Sequence, residues 1–330
     1  MIQRWEMDEV FYGFTGNWLM QEAVLASGAV DVFVADMNCS MPIDPIYAEK
    51  YRFKLIPVSE LVAFEGITDR LDYDPTRAEE QAGKLLDMAI ANFKERHGKV
   101  KAVTALPTGE AIAGFSPESI TAALGGTLEP LLDAVKQGTI RGIVGLVSCT
   151  TLRDKGQDVH SVEVARNLIK RDLLVLSLGC GNAAMQVAGL CKPEASSQAG
   201  PGLKGLCEAL GIPPVLSFGT CTDTGRLADL IGAVAHALGD VPIPDLPIAA
   251  AAPEYMEQKA TIDAVFALAL GVYTYVNPIP TVAGAPNLVK LLTEDCKDVT
   301  GGILDVEPDA VKAAENILNH IETNRKKLGI

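Results

Sequence analysis

Leu173-Leu-Val-Leu-Ser-Leu178 runs directly into Gly179-Cys180-Gly181. A short, almost wholly apolar run closed by glycine is too brief for a helix, and it lacks the alternation of a strand with one wet face. It reads as a parallel strand buried on both sides. Three further runs share the pattern. Asp31-Val-Phe-Val-Ala-Asp36 leads to Cys39, Gly142-Ile-Val-Gly-Leu-Val147 to Cys149, and Pro214-Val-Leu-Ser-Phe218 to Gly219-Thr-Cys221. Helical patterns follow these runs, at 160–171, 183–190, 202–210 and 224–238 among others, so strand and helix alternate along the chain. That alternation specifies an α/β fold with doubly wound, mostly parallel sheets. In such sheets the carboxyl ends of the strands line the ligand crevice, and four cysteines are delivered to such ends.

The 330 residues suffice for two α/β domains, and the expected division is 1–125 and 126–330. In the first, strands are expected to end at Asp36 and to cover Phe53–Val58 and Val100–Leu106, with a long helix at Arg77–Arg96. In the second, strands are expected to end near Val147, Leu178, Phe218, Ala251 and Val276. Further helices are expected over Glu254–Leu270, Pro286–Cys296 and Pro308–Leu328. The last opens on proline and closes with Lys326-Lys327 before Gly329, as the helix dipole and C-cap favour.

Composition excludes several classes. A formal charge of −14 repels phosphate backbones and argues against nucleic acid. No apolar run reaches the ~18 residues of a membrane span, and the N-terminus lacks the layout of a signal peptide. The expected location is the cytoplasm, where an odd count of seven cysteines points to thiols and ligands, not disulfides. Gly179-Cys-Gly181 opens like a dinucleotide-binding loop but has no third glycine in place.

Cys191, Cys207 and Cys296 lie in or beside helical patterns and suit small buried hydrophobes. Cys39, Cys149, Cys180 and Cys221 do not. Their spacings of 110, 31 and 41 residues differ from the close pairs of a zinc site and require the whole fold to bring them together. Single thiolates on separate strand ends suit an iron–sulfur cluster better than one tetrahedral ion. His160 follows the Cys149 loop and is a candidate for the same edge. Lys259 reads from spacing alone as an exposed helix lysine.

The chain resembles the C-terminal, Rossmann-like portion of the anaerobic nickel–iron carbon monoxide dehydrogenases, of the hybrid-cluster (prismane) superfamily. The resemblance rests on Asp36-Met-Asn-Cys39-Ser-Met-Pro42, Cys149-Thr-Thr151, Gly179-Cys180-Gly181, Gly202-Leu-Lys-Gly205 and Gly219-Thr-Cys221-Thr-Asp223. Ala252-Pro-Glu254, Glu257-Gln-Lys259 and Thr300-Gly-Gly302 extend it in the same order with similar gaps. It implies two Rossmann-like doubly wound domains and a 4Fe–4S or Ni–Fe–S cluster held by Cys39, Cys149, Cys180 and Cys221. It implies the reversible reaction of CO with water to give CO2, two protons and two electrons. Lys259 matches the lysine thought to stabilise bound carboxylate. The family's N-terminal helical domain with its electron-transfer clusters has no counterpart here. Nor do the histidine and the Cys-Cys-Thr-type cysteine that would complete six protein ligands. Thr150-Thr151 also replaces the usual pair after the cysteine. An electron-transfer partner or second subunit is therefore expected, and the family is dimeric. Two other readings stay open at this point: a non-catalytic cluster-binding or assembly subunit, and a chain whose thiols are only buried.

Overall fold

The computed structural model describes residues 16–37, 39–103, 109–153, 155–256, 258–282 and 284–330. The chain forms two compact units, Met1–Gly109 and Glu110–Ile330. The helix Pro117–Ala123, which the sequence reading put before the division at 125, belongs to the second unit. Its Ile120 is buried in that unit's core, and the Phe115 N–H donates to the Ser217 carbonyl.

In the first unit, among the described residues, β1 (Val32–Ala35) pairs in parallel with β2 (Lys54–Pro57). The helix Asp44–Tyr51 connects them and stops where Arg52 turns left-handed. The long helix Ala78–Arg96 is tied to the start of both strands. Asn92 Nδ2 donates to the Asp31 and Arg52 carbonyls, each at 2.8 Å. Arg96 binds the Asp31 carboxylate at 2.6 Å and donates to the Gly28 carbonyl at 2.8 Å. Leu25, Ala35, Phe53 and Leu55 form the core between them. The third expected strand is not seen in residues 100–103, where Val103 N–H instead donates to the Ser27 carbonyl; residues 104–106 lie outside the described residues.

The second unit is built on β3 (Gly142–Ser148), β4 (Leu173–Leu178), β5 (Val215–Gly219), β6 (Ile248–Ala252), β7 (Tyr273–Val276) and β8 (Ile303–Val306). All pairings are parallel and the order is β5-β4-β3-β6-β7-β8. Counted from β3, this is the 3-2-1-4-5-6 order of doubly wound dinucleotide-type sheets, whose crevice lies where the winding reverses, between β3 and β6. Every residue of β4 is buried, as its apolar run requires. On β3 the pleat sends Gly145 toward Leu227 of the helix Thr224–Ala237, and Leu146 toward the helix Gly179–Val187 on the opposite face. The final helix, Ala310–Leu328, carries fully buried Ala313, Ala314, Ile317 and Ile321. Its Arg325, also buried, donates to the Val135 and Arg141 carbonyls and so anchors the helix beneath the start of β3. Among the described residues no helix is long and apolar enough to cross a membrane.

Helix Pro201–Leu210 shows what the glycines do. A Cβ on Gly202 would overlap the Thr139 carbonyl, whereas one on Gly205 meets nothing within 4 Å. Gly202→Ala should therefore destabilise the second unit by about 1–3 kcal/mol through overpacking. Gly205→Ala should stabilise it by about 0.5–1 kcal/mol through helix propensity. Urea unfolding of both variants checks this pair, and equal effects would refute the assigned contacts.

Candidate metal centre

The carboxyl ends of β3, β4 and β5 bring three of the sequence-designated cysteines to one edge. Ser148, the last residue of β3, and Gly179, the first after β4, form a parallel bridge, which sets Cys149 beside the start of the helix Gly179–Val187. Cys180 lies in that helix's first turn. Cys221 opens a short 3₁₀ turn two residues past β5. Gly179 has φ of +68°, and the space of its missing Cβ is taken by the Cys221 Sγ. A Cβ on Gly181 would lie 2.7 Å from Leu146 Cδ2 and 2.8 Å from Ser148 Cβ. Two glycines thus let the Cys180 turn press against both neighbouring strand ends. Adjacent strands lie about 4.8 Å apart, so three consecutive ends span about 10 Å.

Among the described residues, no three His, Cys, Asp or Glu side chains converge closely enough to hold a single ion. A cluster does not ask for this, because each thiolate binds a different iron and the donors sit apart around the inorganic core. The all-thiol donor set on three strand ends fits an iron–sulfur cluster.

Hydrogen bonds from carboxylates brace the cysteine loops. Asp223 Oδ2 accepts the Thr220 N–H at 2.8 Å and closes a capping box around Cys221. Glu254, two residues past β6 and wholly buried, accepts the Thr151 N–H through Oε1 at 3.1 Å and the Ser161 N–H through Oε2 at 3.2 Å. Burial raises its pKa, and the bonds from Ser161 and Thr151 partly offset this. Cys39 belongs to the first unit. It sits in a left-handed turn after β1 (φ of 65°), and Gln21 Nε2 donates to its carbonyl at 3.1 Å. Asp44 Oδ2 accepts the Met41 N–H at 3.0 Å, while Oδ1 is buried without a partner.

His160 is buried in the first turn of the helix Val159–Ile169, with Nε2 2.9 Å from Tyr275 Oη. The Tyr275 hydroxyl donates to the Glu307 carbonyl, so the imidazole N–H is the donor to the phenol. This bond ties the helix to β7. Lys259, half-buried, stands in the first turn of the helix Gln258–Ala269. Cys191 and Cys207 are buried, and desolvation pushes each thiol to about 12, which leaves them inert packing groups. Cys296 is half-buried, with its Sγ 3.6 Å from Thr300 Oγ1. An apolar cleft between the helices Thr224–Ala237 and Gln258–Ala269, lined by Leu227, Ile231 and Ala264, lies over the sheet face instead of its carboxyl edge. Sequence reasoning missed Glu254 and Asp44 as bracing groups. A carboxylate just past an apolar strand, or opening a helix before proline, was the available signal.

Fold and site together define a doubly wound α/β protein with three cysteines on one sheet edge. Residues 2–311 match the Prismane/CO dehydrogenase family, and the chain belongs to that family. It is 73% identical over its full length to carbon monoxide dehydrogenase 2 of Methanosarcina mazei, covering 52% of that protein. It is 57% identical over 97% of its length to the carbon monoxide dehydrogenase of Archaeoglobus fulgidus, covering 51%. Among solved structures, the as-isolated, nickel-free carbon monoxide dehydrogenase of a Thermococcus species superposes with a TM-score of 0.83 at 44% identity, covering 95% of this chain and 49% of that one. An acetyl-CoA synthase/carbon monoxide dehydrogenase described with nickel–zinc and nickel–nickel Fe4S4 clusters superposes with a TM-score of 0.82 at 32% identity, covering 94% of this chain and 48% of that one. The chain spans about half the length of the relatives it matches.

Two outcomes test this geometry. Gly181→Ala should push the Cys180 turn off Ser148 and Leu146, destabilising the unit by about 1–3 kcal/mol. It should also speed alkylation of Cys180 while Cys207 stays unreactive at pH 8, as peptide mapping would show. The second concerns Asp44, fully buried, whose carboxyl burial pushes up from 3.8 to about 6. The folded chain then keeps a proton that the unfolded chain releases, so this contribution is present below about pH 4 and lost as pH rises through 6. Asp44→Asn should gain stability relative to the parent across that window, and a pH-independent difference in urea midpoints would refute it.

Proposed function

We propose that this chain is the cluster-bearing α/β portion of a carbon monoxide dehydrogenase-type oxidoreductase, with Cys39, Cys149, Cys180 and Cys221 as ligands of a 4Fe–4S or Ni–Fe–S cluster. The observation that carries the reading is the meeting of Cys149, Cys180 and Cys221 on three adjacent strand ends, in a chain so close to named carbon monoxide dehydrogenases. Cys39 takes its role from the matching motif.

The reaction is CO + H2O to CO2, two protons and two electrons. When bound, the cluster supplies metal sites that activate carbon monoxide and water and accept the electrons. The protein's part is to hold the thiolates and to stabilise charge. The Lys259 ammonium at a helix start is assigned to the developing carboxylate. His160 is assigned a supporting proton-handling role through its bond to Tyr275. The remaining ligands and the electron relay come from sequence outside these 330 residues, in this polypeptide or in a partner subunit. An anaerobic cytoplasm and a homodimer complete the reading.

The test is anaerobic analysis of Fe, Ni, Zn and sulfide in protein purified without added metal. About four iron and four sulfide per chain are expected for a 4Fe–4S core. Cys180→Ala should lose most of both, and Cys207→Ala should lose neither. Nickel together with CO-dependent viologen reduction means a working site, and iron without nickel means a cluster carrier. Zinc alone, or unchanged iron in Cys180→Ala, would refute the proposal.

A further inference from the structure

Glu254 is wholly buried, and a buried carboxylate persists only where hydrogen bonds compensate its lost hydration. All the bonds seen at this residue converge on the β3 loop and the helix behind it. Its N–H donates to Ser148 Oγ at 3.0 Å, on the residue immediately before Cys149. Its Oε1 accepts the N–H of Thr151, two residues after Cys149, at 3.1 Å. Its Oε2 accepts the Ser161 N–H at 3.2 Å, in the first turn of the helix Val159–Ile169, where the helix dipole favours an anion. Ser148 and Ser161 close the ring, their hydroxyls 3.3 Å apart. Cys149 is therefore bracketed on both sides by bonds to one residue of β6's end. The strands involved, β3 and β6, are the pair between which the winding reverses. Five residues further along, the same segment carries Lys259.

We propose that Glu254 is a positioning residue. Its carboxylate and N–H hold the Cys149-Thr150-Thr151 turn in the conformation that presents the Cys149 thiolate, and lock that turn to the segment leading to Lys259. That the thiolate is presented to a cluster rests on the function proposed above; the clamp itself does not. A packing role alone would be met by leucine or glutamine of similar volume. The clamp needs two acceptor oxygens, and glutamine offers one, its NH2 facing a second N–H.

The test uses the full chain without metal. Glu254→Gln and, as a milder second variant that leaves the carboxylate intact, Ser148→Ala are alkylated natively under iodoacetamide and followed by peptide mass spectrometry. In Glu254→Gln, Cys149 is expected to label at least about tenfold faster, with Cys180 and Cys221 within about twofold of the parent and Cys191 and Cys207 unlabelled. Ser148→Ala should speed Cys149 about two- to fivefold, and it carries the test if Glu254→Gln does not fold. Hydrogen exchange at the peptide containing Thr151 should accelerate in step. A Cys149 rate within twofold of the parent, or a joint rise at all cysteines including Cys207, would overturn the proposal. Iron uptake by the parent chain is measured separately. No uptake with a selective Cys149 response sinks the cluster reading and leaves the clamp standing. Normal uptake with no Cys149 response does the reverse.

Discussion

Gly179 and Gly181 flank Cys180 with no side chain on either, and the close approach this allows is the constraint on which the three-cysteine edge depends. The Cys221 sulfur fills the space on one side, and Leu146 with Ser148 fills it on the other. Glycine in a helix costs about 1 kcal/mol relative to alanine. Any larger residue here would meet atoms closer than 3 Å, and overpacking of this kind costs about 1–3 kcal/mol while moving the strand ends apart. The balance favours glycine at both places. The parallel pairing of β3, β4 and β5 then turns three cysteines distant in sequence into neighbours at one edge.

The strands were legible because their signal is local. Leu173–Leu178 is apolar but for Ser177 because both its faces are covered, and every residue of it is buried. The order of the sheet was legible only as a class, because connection handedness and register come from packing. The helix expected from Ala183 begins at Gly179 instead. Gly-Cys-Gly is poor helix sequence, and its turn is held by contacts with β3 and β5 that no propensity scale contains. Glu254 was expected inside the following helix, which starts at Gln258. Its partners, Thr151 and Ser161, are 103 and 93 residues away, so its place after an apolar strand hinted at a role without naming what it holds. The cysteines are the reverse case, since residue type, place after a strand and family motif all single out the same positions.

Carboxylates beside the cysteine loops recur in both units. Asp223, Glu254 and Asp44 each accept a backbone N–H within two residues of a cysteine. Backbone N–H groups in such turns have no ladder to join and must find acceptors if buried. A carboxylate is a stronger acceptor than an amide oxygen, and its bonds fix the turn more firmly. For the two buried members the cost is desolvation, visible in the raised pKa values of Glu254 and Asp44. Rigidity at the cysteines is bought with burial of charge.

The sheet order also has a consequence in time. β3, β4 and β5 are consecutive in the chain and adjacent in the sheet, with β6 joining on the far side of β3. During synthesis Cys149, Cys180 and Cys221 all leave the ribosome before Glu254. The bonds from Glu254 to the turn after β3 can form only once β6 is in place. The three thiols of the edge are therefore all synthesised before the residue that pins the turn beside Cys149.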